Sequence, residues 1–232
     1  MYPLSKFLIF MIVTDEARIE LHRLQEVKKG TQLASQQSPE RAGDETWEQF
    51  CGRVDAAVAG YLRGGCARVT YRNWCVTLDT NVVPAGAAAA VVTRMRAPFV
   101  GRGRFRFKLQ RRDLLDSLAR RLRVHSSETG QSDFDREFVI RSEDDEAVRR
   151  LFDSKEIRRL IQSQPSINLE ARGGDGPFGA SLPEGVDELV LRAPGFVTDA
   201  ERLRRLFALF ALILDRLCET GAACDDEPGV TL

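Results

Sequence analysis

The sequence predicts an α+β fold: an antiparallel sheet of about seven strands, packed by helices, with a long buried helix near the C-terminus. Three observations carry this. Period-two segments come in runs joined by short turns, which favours adjacent antiparallel strands over parallel crossovers. Segments of helical period sit before, between and after those runs instead of alternating strictly with them. Residues 206–214, LFALFALIL, are apolar all round. A helix of that kind is covered on more than one side, at the centre of a core or between two subunits.

Residues 1–29 read as a helical appendage. Its apolar run, Phe7 to Val13, is far shorter than the roughly twenty residues of a membrane span. Acids follow the run and no small-residue cleavage site does, so it reads as one end of an amphipathic helix, or as sequence ahead of a start at Met11. Residues 30–45, GTQLASQQSPERAGDE, form a polar linker. The α+β domain spans 46–221, and an acidic tail 222–232 closes the chain.

The domain opens with a helix. Asp44 is its candidate cap, and Trp47, Phe50, Cys51, Val54, Val58 and Tyr61 share a face. Gly64 and Gly65 stop it. Four strand-like runs follow: CARVTYRN, WCVTLDTNVV, AAVVTRMRAPF and RFRFKLQ. Short connections predict a meander. Asp113 then starts a helix over 113–123 striped by Leu114, Leu115, Leu118 and Leu122. FDREFVIR is the fifth strand. Ser142 is the candidate cap of the next helix, and the pair Asp153 and Glu156 of the one after it. SINLEAR and DELVLRAP are the last strands, and Thr198 with Glu201 caps the final helix. TRMRAPFV at 93–100 echoes LVLRAPGFV at 189–197. The echo leaves open two pseudo-repeated halves, and chance similarity explains it as well.

The chain has 34 Lys plus Arg and 34 Asp plus Glu. Dedicated nucleic-acid binders carry a basic excess, because phosphate neutralisation supplies much of their affinity. Nucleic acid therefore ranks last among the partners considered. Cys51, Cys66, Cys75, Cys218 and Cys224 are odd in number and lack C-x-x-C spacing. That argues against a disulfide framework and a structural zinc, and for buried or partly buried thiols in the cytoplasm. No metal, cofactor or catalytic residue is assigned. His22 lies in the appendage. His125 follows a helix, and neither Ser126 nor Ser127 sits in a nucleophile motif for it to serve with Asp133. Cys75 beside Trp74 suits a buried thiol better than a dyad with His125. The alternating Asp133, Asp135 and Glu137 lack a calcium-loop glycine. RGGDGPFG is neither a P-loop nor a dinucleotide fingerprint.

The segment VGRGRFRFKLQRR, 100–112, carries the sharpest question. Period two puts Arg102, Arg104, Arg106 and Lys108 on one face and Phe105, Phe107 and Leu109 on the other. Arg94 and Arg96 share a face one strand earlier. A hairpin of the two strands makes a basic ladder, which needs anionic partners. Those are external, or lie in the acidic run 128–146, and with zero net charge internal pairing or simple solvation of the sheet face is the economical account, ahead of a binding surface. A base-stacking platform puts aromatics and cations on the same face, and here they alternate. The candidate ligand-binding residues are therefore Arg94, Arg96, Arg104 and Arg106. The candidate oligomer interface is Phe207, Phe210 and Ile213 on the last helix.

WCVTLDT at 74–80, TRMRAPF at 93–99, FDREFVI at 134–140, LFDSKEIRRLIQSQP at 151–165 and LPEGVDELVL at 182–191 resemble a family of bacterial cytosolic proteins built on a domain of unknown function. The resemblance covers roughly 46–232. It implies a bacterial, intracellular chain folded as one unit, and supplies no site residue. The function expected is a non-catalytic domain that binds a protein partner or itself as a homodimer, without a membrane. The alternatives are an enzyme or small-anion binder with an arginine-lined pocket, and nucleic-acid binding through the arginine-rich hairpin.

Overall fold

A computed structural model describes residues 47–85, 88–103, 105–112, 127–173, 182–230 and 232. The appendage, the linker, the 113–123 helix, Arg104, His22 and His125 lie outside the described residues, as does Asp44. The described chain is α+β, with an eight-stranded antiparallel sheet and five helices, the last one long.

Helix α1 (Trp47–Gly64) leads into β1 (Cys66–Tyr71), β2 (Trp74–Ala85) and β3 (Ala88–Gly101). Gly65, at φ 71°, breaks the helix where its N–H reaches back to the Tyr61 carbonyl. Strand β4 (Phe107–Arg111) is followed by α2 (Ser132–Glu137), β5 (Phe138–Ser142), α3 (Asp145–Phe152) and α4 (Lys155–Gln162). Strands β6 (Asn168–Gly173) and β7 (Val186–Pro194), helix α5 (Ala200–Glu219) and the two-residue β8 (Ala223–Cys224) complete it.

The sheet order is β1-β2-β3-β7-β6-β4-β5, with β8 paired to the end of β3. This corrects the meander. β1, β2 and β3 are successive neighbours, but β7 and β6 insert between β3 and β4. The basic runs of β3 and β4 are thus two strands apart and form no hairpin.

One register row explains the core. Ala67, Leu78, Met95, Leu191, Leu169, Leu109 and Ile140 stand side by side across all seven strands of that path. Their side chains share one face, and the buried residues of the helices join them in a single cluster. Helix α5 lies at its centre. Phe207, Phe210 and Ile213 are 1%, 0% and 0% exposed within one chain. The interface expectation for these three is therefore corrected: a helix apolar all round is satisfied inside its own domain, and none of the three reaches the surface.

Several boundaries shift for local reasons. FDREFVIR is not one strand. Residues 132–137 form a helical turn that buries Phe134 against Phe138 with rings 4.8 Å apart. The caps are Asp144, Ser154 and Asp199, one or two residues past the Ser142, Asp153 and Thr198 expected. Ser142 instead donates to the Arg106 carbonyl and accepts from the Asp144 N–H. No described helix is long and apolar enough to cross a membrane.

Candidate functional site

Adjacent register rows of a strand point to opposite faces. Next to the apolar row stands Arg68, Thr77, Arg96, Val190, Glu170, Lys108 and Arg141. A second such row contains Asp79, Arg94, Arg192, Asn168 and Gln110. These residues face away from the helices. Among the described residues this outer face carries seven cations, Arg68, Arg94, Arg96, Lys108, Arg141, Arg172 and Arg192, against three carboxylates, Asp79, Glu170 and Glu188. It carries no aromatic residue.

The face has two unlike halves. On β2, β3, β7 and β6 the charges are interleaved. Asp79 accepts from Arg94 Nε and Nη2, both at 2.9 Å, and from Arg96 Nη2 at 3.0 Å. Arg172 donates to Glu188 Oε2 through Nε and Nη2 at 2.9 and 2.7 Å. Arg96 Nη1 lies 3.9 Å from the other oxygen of Glu188. Arg192 donates to Glu170 at 2.5 Å, with Arg172 3.5 Å from the same oxygen. Arg94 and Arg192 are directly opposite, a repulsive placement, yet each is turned to its own carboxylate. Glu188 is 1% exposed and Val190 beside it is fully buried. Partial burial pushes the Asp79 carboxyl up, but the hydrogen bonds and charges of Arg94 and Arg96 overcome that and hold it below the ordinary carboxylate value.

The β4–β5 half is different. Lys108 and Arg141 stand opposite each other, and among the described residues no carboxylate comes within ion-pair distance of either. Glu170 is the cross-strand neighbour of Lys108, but it is held by Arg192. This half carries net positive charge with nothing spent on it. The β1–β2 edge is partly occupied: the carbonyl oxygen of Leu232 accepts from Thr77 Oγ1 at 2.9 Å and from Arg68 at 3.4 Å.

Of the arginines singled out from sequence, Arg94 and Arg96 are brought together on Asp79. Arg106 leaves the set. β4 starts only at Phe107, and the Arg106 guanidinium lies on Gly173, where any side chain would collide with it. In register Gly173 belongs with Leu169 and Ala171, the helix-facing side of β6. Phe107 is 3% exposed and Phe105 packs partly buried against the core, so both rings point away from the open charged face. The acidic run supplies few of the expected partners. Glu137 takes Arg111 at 3.1 Å, while Asp133 and Glu146 pair with arginines on their own helices. The partners that matter, Asp79, Glu170 and Glu188, were missed. Their signal was present: each is an acid at a polar position of an alternating strand.

A second polar cluster clamps the β1–β2 turn to the end of α5. The Tyr71 hydroxyl donates to Asp215 at 2.7 Å, and Arg72, strained at φ 49°, pairs with the other Asp215 oxygen at 3.2 Å. Burial, then the neighbouring carboxylate, push the Tyr71 phenol well above its ordinary value. Burial, with Asp225 and Asp215 nearby, pushes the Cys218 thiol up to about 12. Both stay neutral at physiological pH, as a structural clamp requires and an activated nucleophile does not. The described cysteines are free thiols, and Cys66 is exposed where a buried or partly buried thiol was expected. Among the described residues no group of three or more His, Cys, Asp or Glu is placed to hold a metal ion.

Compared with protein-family models, with curated proteins and with solved structures, the chain matches none.

Proposed function

We propose that this chain is a non-catalytic cytoplasmic domain that holds an acidic segment of a protein partner on the outer face of its sheet, over the β4–β5 half. One observation carries the reading. In a chain whose charges balance overall, the described cations on this face outnumber the described carboxylates, and among the described residues no carboxylate lies within ion-pair distance of Lys108 or Arg141. Surplus charge on an open face attracts a partner of opposite sign and sets its orientation. An acidic peptide fits better than nucleic acid. Among its described residues the face has no aromatic on which a base would stack.

The test is fluorescence anisotropy of a labelled oligoglutamate peptide with the full chain, read across a salt series. The expected result is saturable binding that weakens as salt rises. Single-stranded DNA of matched charge competes poorly. Tighter binding of the DNA would replace this reading with nucleic-acid recognition. Absence of both at low salt would end it.

A further inference from the structure

We propose that the acidic tail beyond Cys224 is a built-in competitor for the acidic partner: it straps the β1–β2 end of the outer face and yields to a long partner segment. The strap lies on the face assigned to that partner, so its role rests on that assignment. Strand β8 delivers the chain there. Ala223 joins the core, while Cys224 stands opposite Val100, an outer position of β3 four residues past Arg96. The Asp225 carbonyl accepts from Asn73 Nδ2 at 2.6 Å, and the Asp225 carboxylate lies 3.8 Å from Arg72. Pro228 is buried, and Gly229 bends the chain at φ 64°. Leu232 reaches the outer row, where Thr77 and Arg68 donate to its carbonyl oxygen. Thr77 is 2% exposed although it belongs to the open face.

The hold is light. Among the described residues, 226–230 and 232 make no backbone-to-backbone hydrogen bond. The side-chain donors reach two carbonyls, those of Asp225 and Leu232. A segment with so few backbone hydrogen bonds opens at low cost while the rest of the domain stays folded. Its chemistry is nevertheless that of the proposed partner. After Cys224 come Asp225, Asp226 and Glu227, and no cation follows. A tethered occupant competes at a high effective concentration, so even a light hold blocks the surface beneath it.

Distance decides which partner meets the strap. Arg68 on β1 and Arg141 on β5 end one row that crosses seven strands, about 29 Å at the usual strand spacing and the reach of roughly nine extended residues. A short acidic segment anchored at Lys108 and Arg141 stops before the strap. A longer one runs into it, and on displacing it gains Arg68 and Thr77.

The test is fluorescence anisotropy with labelled oligoglutamates of five and twelve residues. The full chain is used as wild type and as the Asn73→Ala, Pro228→Gly variant, which loosens the tail and leaves the outer-face cations in place. The long peptide should bind the variant about tenfold more tightly than wild type, and the short one should bind both alike. Free DDEPGVTL peptide should return the variant's affinity for the long peptide towards the wild-type value. Equal affinity of the long peptide for both chains overturns the strap. So does an equal gain for the short peptide, which would mean general loosening. Wild type with the short peptide judges the partner assignment separately. If that binding is absent the assignment fails, while a gain of the long peptide by the variant would still uphold the strap. Absence of that gain as well would overturn both.

Discussion

The two faces of the sheet are one residue apart in sequence and opposite in chemistry. Leu78, Met95, Leu191 and Leu169 form an apolar row, and one step along each strand stand Thr77, Arg96, Val190 and Glu170. The first row is held by burial, which is non-directional and tolerates similar shapes. The second is held by pairs that work only if each charge meets its opposite. Such pairs stabilise little, because desolvation offsets much of their attraction, but losing one partner is costly. The difference separates structural from available charge. Among the described residues Arg94, Arg96, Arg172 and Arg192 are committed to carboxylates, while Lys108 and Arg141 are not.

The sharpest break comes at Glu188. Glu188→Ala removes the oxygen that takes both Arg172 donors, leaves that guanidinium only Glu170 at 3.5 Å beside a fully buried valine, and should lower stability by about 3 kcal/mol. Adding Arg172→Met should recover a large part of the loss, since the uncompensated charge goes with it. Urea unfolding of the single and double variants measures both. On the apolar side, Leu191→Ala should cost about 2–5 kcal/mol through lost burial and a residual cavity, and no second substitution of a charged residue should rescue it. A rescue there would mean the two faces are coupled more tightly than their chemistry implies.

A smaller effect follows from pH. Asp79 is held below the ordinary carboxylate value in the folded chain. Its contribution is fully present above that ordinary value and fades as pH falls through the lowered one. Wild type and Asp79→Asn should therefore differ in urea midpoint at neutral pH and converge in acid. A gap that persists well into the acid range would show that Asp79 acts through shape and not through charge.

Much of the fold was legible because alternation is a local property. Strands β2, β3, β6 and β7 and helix α5 follow from residue period alone. Helix starts were less legible: Ser142, Asp144, Asp153, Ser154, Thr198 and Asp199 are all capping residues, and period does not choose among neighbours. The short helix before β5 was masked by a strand-like reading, although Phe134 and Phe138 stand four apart, a helical spacing. The order of strands was not legible, because nothing local says that β6 and β7 slip between β3 and β4. That single long-range fact decides the site. It brings Glu170 and Glu188 between the arginines, where they take Arg192 and Arg172 while Asp79 of the neighbouring β2 holds Arg94 and Arg96, and leaves the surplus on β4 and β5.

The most direct measurement is the oligoglutamate affinity of the chain carrying Lys108→Glu and Arg141→Glu, set beside its urea midpoint. Binding should vanish at low salt. The unfolding free energy read from that midpoint should change by no more than the range expected of surface substitutions, about 0.5 kcal/mol either way. Retained binding, or loss of binding only because the domain unfolds, would contradict the claim that these two cations are the available ones.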